Sequence, residues 1–155
     1  MRHRRAARLA PLVLLAGLLG GGLSGPPARA AAGPNLRIVA SNVTSASGTV
    51  VVWIFASGEQ WLREAGARTQ KAVPVAGNLA GDSVTVELLL PAGDYAAVVF
   101  HDRDGNGDLA RNFLGLPKEP AGLSNNVRPR FGPPRFKAAL FTVGDGVAEQ
   151  RIRLE

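Results

Sequence analysis

Short runs of β-branched and aromatic residues, each closed by a Gly, Pro or Asp turn signal, recur along most of this 155-residue chain. No stretch of the part that follows the N-terminal segment carries the 3.6-residue period of a long amphipathic helix. Residues 36–43 (LRIVASNV) alternate, with Leu36, Ile38, Ala40 and Asn42 on one face. Residues 49–55 (TVVVWIF) read as a central strand that sends Trp53 and Phe55 into the core. Residues 72–79 suit a weak edge strand interrupted by Pro74. Residues 83–90 (SVTVELLL) and 94–101 (DYAAVVFH) are strands at hairpin spacing across Pro91-Ala92-Gly93. Residues 138–143 and 147–154 flank Gly144-Asp145-Gly146, a turn of hairpin type. Residues 60–65 (QWLREA) suit one or two helical turns that pack Trp61, Leu62 and Ala65, although Trp61 also suits an exposed sugar-stacking platform. Six to eight short strands without a long helix predict an all-β, antiparallel two-sheet sandwich.

The first thirty residues differ in kind. Arg2, Arg4, Arg5 and Arg8 precede an apolar stretch of residues 9–23, which is followed by Ser24-Gly25-Pro26-Pro27 and the small-residue sites Ala28-Arg29-Ala30 and Ala30-Ala31-Ala32. This is the layout of a secretory signal peptide, with cleavage expected after Ala30 or Ala32. The apolar stretch is short and Gly-rich for a bilayer anchor, the competing reading. Arg4-Arg5 leaves the Sec and twin-arginine routes both open. The remaining residues, 31–155, are one domain, with no Cys for a disulfide or a lipid anchor. Five of the 18 Lys and Arg lie in the first thirty residues, which leaves 13 against 12 Asp and Glu. A net charge near +1 gives no electrostatic case for nucleic acid. The expected setting is periplasmic or secreted, without a membrane span after cleavage.

Residues 109–137 break the strand pattern. Pro117, Pro120, Pro129, Pro133 and Pro134, with Gly115, Gly122 and Gly132, exclude a continuous strand or helix. Arg111, Lys118, Arg128, Arg130, Arg135 and Lys137 stand against Glu119 alone. Long connections of this kind are often functional. Proline should pre-order the segment, with Phe113, Leu114, Leu116, Leu123, Phe131 and Phe136 pinning it to the sandwich. A fixed set of Arg side chains suits carboxylate or phosphate recognition; the competing reading is a solubilised irregular segment.

The catalytic inventory is thin. One histidine, His101, follows residue 30, and no Cys is present, so a His-Cys pair and a multi-His zinc site are excluded. A hydrolase would use His101, with a serine such as Ser124, or a carboxylate pair drawn from Glu64, Glu87, Asp94 and Glu119, none of which stands out by spacing. The sharpest local feature is Asp102-Arg103-Asp104-Gly105-Asn106-Gly107-Asp108. Oxygen side chains at Asp102, Asp104, Asn106 and Asp108 have the alternate spacing of a calcium loop. The ninth position is Ala110, and the closing Glu is replaced by Phe113. Weak Ca²⁺ binding and a plain polar turn both fit these residues. His101, directly before the loop, is expected to fix it through a hydrogen bond.

Three blocks together resemble a bacterial exported family known as domain of unknown function 2141. They are PAGDYAAVVFHDRDGNGDL (91–109), NFLGLPKEPAGLSNN (112–126) and GPPRFKAALF (132–141). The resemblance implies a transthyretin-like or immunoglobulin-like sandwich and an envelope setting, and it carries over no activity. The chain departs from the family pattern at Ala110, where an acidic residue is usual, and around Pro120-Ala121-Gly122.

The resulting expectation is an exported, non-catalytic binding module using the 101–137 surface. Ligand contacts are expected from His101, Arg111, Lys118, Asn125, Arg128, Arg130 and Arg135. The expected partners are an anionic glycan, a lipid head group or an envelope protein. A hydrolase and a purely structural envelope component are the rival readings.

Overall fold

The computed structural model describes residues 33–109, 111, 117–129 and 132–155. Nine strands are present among them: β1 (Leu36–Ser41), β2 (Thr49–Phe55), β3 (Thr69–Pro74), β4 (Leu79–Ala80), β5 (Ser83–Leu88), β6 (Gly93–Asp102), β7 (Ala121–Leu123), β8 (Phe141–Val143) and β9 (Ala148–Arg153). One sheet has the order β4-β5-β1-β9; the other has the order β3-β2-β6-β7, with β8 on the first residues of β6. The all-β two-sheet sandwich expected from the sequence is the fold observed. Every pairing is antiparallel except β1 with β9, which is parallel and aligns Leu36 with Ala148.

The strand sequences separate the two sheets. In β1 and β5 every second residue is buried, so Leu36, Ile38, Ala40, Val84, Val86 and Leu88 face inward while Arg37 and Glu87 pair outside. In β2 and β6 nearly every residue is buried. Their inward residues Val50, Val52, Ile54, Ala97 and Val99 join the core shared by the two sheets. Their outward residues Val51, Trp53, Phe55, Val98 and Phe100 form a second apolar layer under Leu109, Trp61, Leu62, Ala67 and Phe136. Uninterrupted apolar runs are what a strand covered on both faces requires. Full burial of one such side chain contributes roughly 1.5–3 kcal/mol. Phe55–Trp61, Trp61–Phe136 and Trp53–Phe100 meet edge to face with centroids 4.9, 5.5 and 5.0 Å apart.

Both expected hairpins are replaced by crossings between sheets. After β5, the Asn35 side chain binds both backbone groups of Leu90, donating to its carbonyl and accepting from its N–H at 2.8 and 2.9 Å. These bonds end the ladder, and the chain passes to β6 in the other sheet. Likewise β8 pairs with β6 and β9 with β1 across Gly144-Asp145-Gly146. Neither Gly144 nor Gly146 takes the positive φ that a type I′ hairpin turn needs. Gln60 and Leu62, at φ 52° and 67°, break the expected helical turns; a single 3₁₀ turn forms at Glu64–Gly66, and Ala65 is exposed. The edge strand starts at Thr69 and is ended, not interrupted, by Pro74. Among the described residues of 109–139 are β7 and two 3₁₀ turns, Ser124–Asn126 and Phe136–Ala139. Leu123 and Phe136 pack onto the outer layer. Phe113, Leu114, Leu116 and Phe131 lie outside the described residues, as do Ala110 and Arg130.

Candidate functional site

β6 is the longest strand, and its last two residues form the floor of the candidate site. His101 is fully buried. Its Nε2 lies 2.7 Å from the Ser47 carbonyl, which can only accept, so Nε2 carries the proton and Nδ1 faces the interior without a partner. The bond expected to fix the acidic loop goes instead to the turn before β2. Gly48, at φ 90°, completes that turn; a Cβ there would lie 2.5 Å from the Asp102 carbonyl and 3.0 Å from His101 Nε2. The ring is shielded from solvent.

The acidic turn folds on its own side chains. Asp102, 3% exposed, accepts the Gly105 N–H at Oδ1 (2.7 Å) and the Gly107 N–H at Oδ2 (2.9 Å). Gly105 and Gly107 both take φ 76°, the left-handed geometry that glycine adopts without steric cost. Asp104 accepts the backbone and side-chain N–H groups of Asn106 at 3.2 and 2.9 Å, and Asn106 Oδ1 accepts the Asp108 N–H at 2.7 Å. The four oxygen-bearing residues therefore do not form one ring. Asp108 stands outside the carboxylate cluster.

The carboxylate that joins Asp102 and Asp104 is Glu119, with one oxygen from each residue lying within 4.8 Å of the others. The ladder between β6 and β7 explains the meeting. Phe100 pairs with Ala121, and the His101 N–H donates to the Pro120 carbonyl at 2.9 Å, so the same register sets Asp102 opposite Glu119. Glu119 is 9% exposed; its Oε1 accepts the Arg103 N–H at 2.8 Å, and its Oε2 has no partner. The Arg103 guanidinium turns away to donate to Thr44 Oγ1. Among the described residues, the ion pairs involve Arg37, Arg128 and Arg151 with Glu87, Glu149 and Glu155, and none reaches the trio. Two like unit charges at about 5 Å repel by roughly 3 kcal/mol at an effective dielectric near 20. Residues placed like this fit a hard cation with oxygen ligands.

The described basic side chains of the segment are exposed. The Arg111 guanidinium donates to the Leu62 carbonyl at 3.0 Å; Arg128 pairs with Glu155; Lys118 and Arg135 are exposed. Asn125, at φ 58°, donates its side-chain N–H groups to the Ala138 and Leu140 carbonyls at 3.2 and 2.8 Å. These bonds stitch the segment together, and the residue is exposed. Ser124 is fully buried: its Oγ accepts the Ala97 N–H at 2.9 Å and donates to the Ala139 carbonyl at 2.5 Å. The Trp61 indole N–H donates to the Pro134 carbonyl at 2.9 Å, and the ring is wedged between Phe55 and Phe136. That packing replaces the open sugar platform.

The turn and its flanking strands lie inside the region, residues 38–151, that matches the model of a family described as uncharacterized protein conserved in bacteria (DUF2141). The chain belongs to this family. No curated protein and no solved structure matches it. Among the described residues, no helix is long and apolar enough to cross a membrane.

In this DUF2141 chain, Glu119 is the site residue that sequence reasoning passed over as a cation ligand. The signal that finds it is register: once Ala121–Leu123 is known to pair with Val98–Phe100, Glu119 falls opposite Asp102.

Proposed function

We propose that this DUF2141 protein is an exported, non-catalytic binding module that uses the surface of residues 101–137 to hold a ligand bearing phosphate or carboxylate groups. The observation that supports this reading is how the segment divides its polar side chains. His101 and Ser124, on which a serine hydrolase would depend, are fully buried and bonded to backbone. Arg111, Lys118, Arg128, Arg135 and Lys137 are exposed on the same segment. Arginine recognises carboxylate and phosphate by paired N–H donors. An N-terminal segment with the layout of a secretory signal supports an envelope setting, where anionic glycans and lipid head groups both present such groups.

The test is salt-dependent binding. The protein should bind vesicles containing an anionic phospholipid, or an acidic polysaccharide, more tightly than their neutral counterparts, and binding should weaken with added salt. The combined change Arg128→Ala, Arg130→Ala, Arg135→Ala should lower affinity at least tenfold without unfolding the protein, since an exposed pair such as Arg128–Glu155 contributes at most about 1 kcal/mol to stability. Equal binding by the triple variant and the wild type to every anionic surface tried would defeat the proposal. Vesicles and polysaccharide in separate arms tell the two sources of anion apart.

A further inference from the structure

We infer that Asp102, Asp104 and Glu119 form a divalent-cation site suited to Ca²⁺, which clasps the base of the β6–β7 connection. The inference stands apart from the anionic-ligand reading, because it uses none of the exposed basic side chains.

Three observations carry it. One oxygen of each carboxylate lies within 4.8 Å of the other two. Oxygens on opposite sides of a Ca²⁺ ion, at 2.3–2.6 Å from it, stand roughly 4.6–5.2 Å apart, so the spacing suits that ion. Second, Glu119 is more than nine-tenths buried, and its Oε2 has no hydrogen-bond partner. An ionised oxygen withdrawn from water without a partner is costly, and a metal ion is one of the few groups that compensates it. Third, the β6–β7 register, continued past Phe100–Ala121 through the bond of His101 to Pro120, brings Asp102 opposite Glu119, an arrangement that like charges disfavour. The Arg103 guanidinium, between Asp102 and Asp104 in sequence, is occupied by Thr44.

The donor set decides the class of metal. It holds oxygen only, with no Cys in the chain and with His101 turned onto Ser47. Carboxylates select hard cations, and a site with three of them suits Ca²⁺ over zinc or copper. The residues differ from a linear calcium loop, in which every ligand comes from one short stretch. Here the closing carboxylate arrives 17 positions after Asp102, from the far side of the connection. A bound ion would tie both ends of residues 103–118 to the sandwich.

The experiment is calorimetric and thermal titration of the purified protein, stripped with EDTA, using CaCl₂ and, separately, MgCl₂. One Ca²⁺ should bind, and the melting temperature should climb with the logarithm of free Ca²⁺ by mass action. Glu119→Gln should weaken Ca²⁺ binding at least tenfold. In EDTA the same variant should melt no lower than wild type, because an amide opposite Asp102 removes the repulsion and still accepts the Arg103 N–H. That reversal of order between EDTA and Ca²⁺ separates a ligand from a structural acceptor. Asp104→Asn, at an exposed position that does not risk the fold, should also lose Ca²⁺ binding, whereas Asp108→Asn should keep it. A wild-type melt indifferent to Ca²⁺ overturns the inference. So does Ca²⁺ binding that survives Glu119→Gln and disappears in Asp108→Asn, which would assign the ion to the linear turn. Equal response to Mg²⁺ overturns the preference for calcium.

Discussion

Gly122 of β7 lies against the main-chain carbonyl of Arg153 in β9, so close that a side-chain carbon has no room between them. The two strands are edge strands of different sheets, and here the two edges meet. Ala121 and Glu155 exchange both backbone hydrogen bonds there at 3.1 Å. Asn126 continues the contact by donating to the Arg151 carbonyl and accepting the Arg153 N–H. The Ile152 side chain blocks the same space, so neither neighbour can yield without moving β9. Gly122→Ala should therefore destabilise the protein by about 1–3 kcal/mol or more, the range for overpacking a tight contact. Urea denaturation measures it, and a midpoint unchanged from wild type would show that the strands separate freely.

His101 and Ser124 make a second prediction, because a structural role and a catalytic one give different results. His101→Ala removes a fully buried ring and the bond to Ser47, and should cost about 2–4 kcal/mol. Ser124→Ala leaves the Ala97 N–H without its partner and should cost about 1–3 kcal/mol. Any hydrolytic activity found in the wild type should persist in both variants, in proportion to the folded fraction. An activity abolished in a variant that retains wild-type stability would return the hydrolase reading to first place.

The buried strands were legible because their chemistry is local. Residues 49–55 read as a strand and form β2 over the same residues, since an uninterrupted β-branched and aromatic run has few other solutions. The alternation in β1 placed Leu36, Ile38 and Ala40 inside as expected. Partner choice was not legible. Pro91-Ala92-Gly93 and Gly144-Asp145-Gly146 carry turn chemistry, yet whether a turn returns to the same sheet depended on Asn35 binding Leu90 and on β9 docking beside β1. The candidate site was half legible. Asp102 and Asp104 stand out by spacing, whereas Glu119 looked like a lone acid in a basic loop. Its position depends on β7, whose three residues Ala-Gly-Leu carry no strand signature of their own.

The N-terminal segment gives a third prediction. Mass spectrometry of the protein recovered from its native host should find the chain beginning at Ala31 or Gly33, with residues 1–30 or 1–32 removed. Recovery of the intact N-terminus in the membrane fraction would overturn the soluble, exported reading and favour a retained anchor.

Asp82 supplies a dependence on pH whose sign is fixed by its partners. It sits in the turn between β4 and β5, where one oxygen accepts the Ser83 hydroxyl at 2.9 Å and the other accepts the Asn42 N–H at 3.2 Å. The Ser83 hydrogen bond, followed by that from Asn42, holds its carboxyl below the usual Asp range. A carboxyl depressed in the folded state binds its proton more readily once the chain unfolds. Its stabilisation is therefore present above the usual Asp range and is lost as pH falls through the folded value. Because the group is at the surface, the effect should be modest and should shrink with salt. Asp82→Asn should flatten the acid limb of the stability profile while changing the neutral region little. An NMR titration of the Asp82 carboxyl carbon reads the midpoint directly; a midpoint within or above the usual carboxylate range would show that neither Ser83 nor Asn42 favours the charged form.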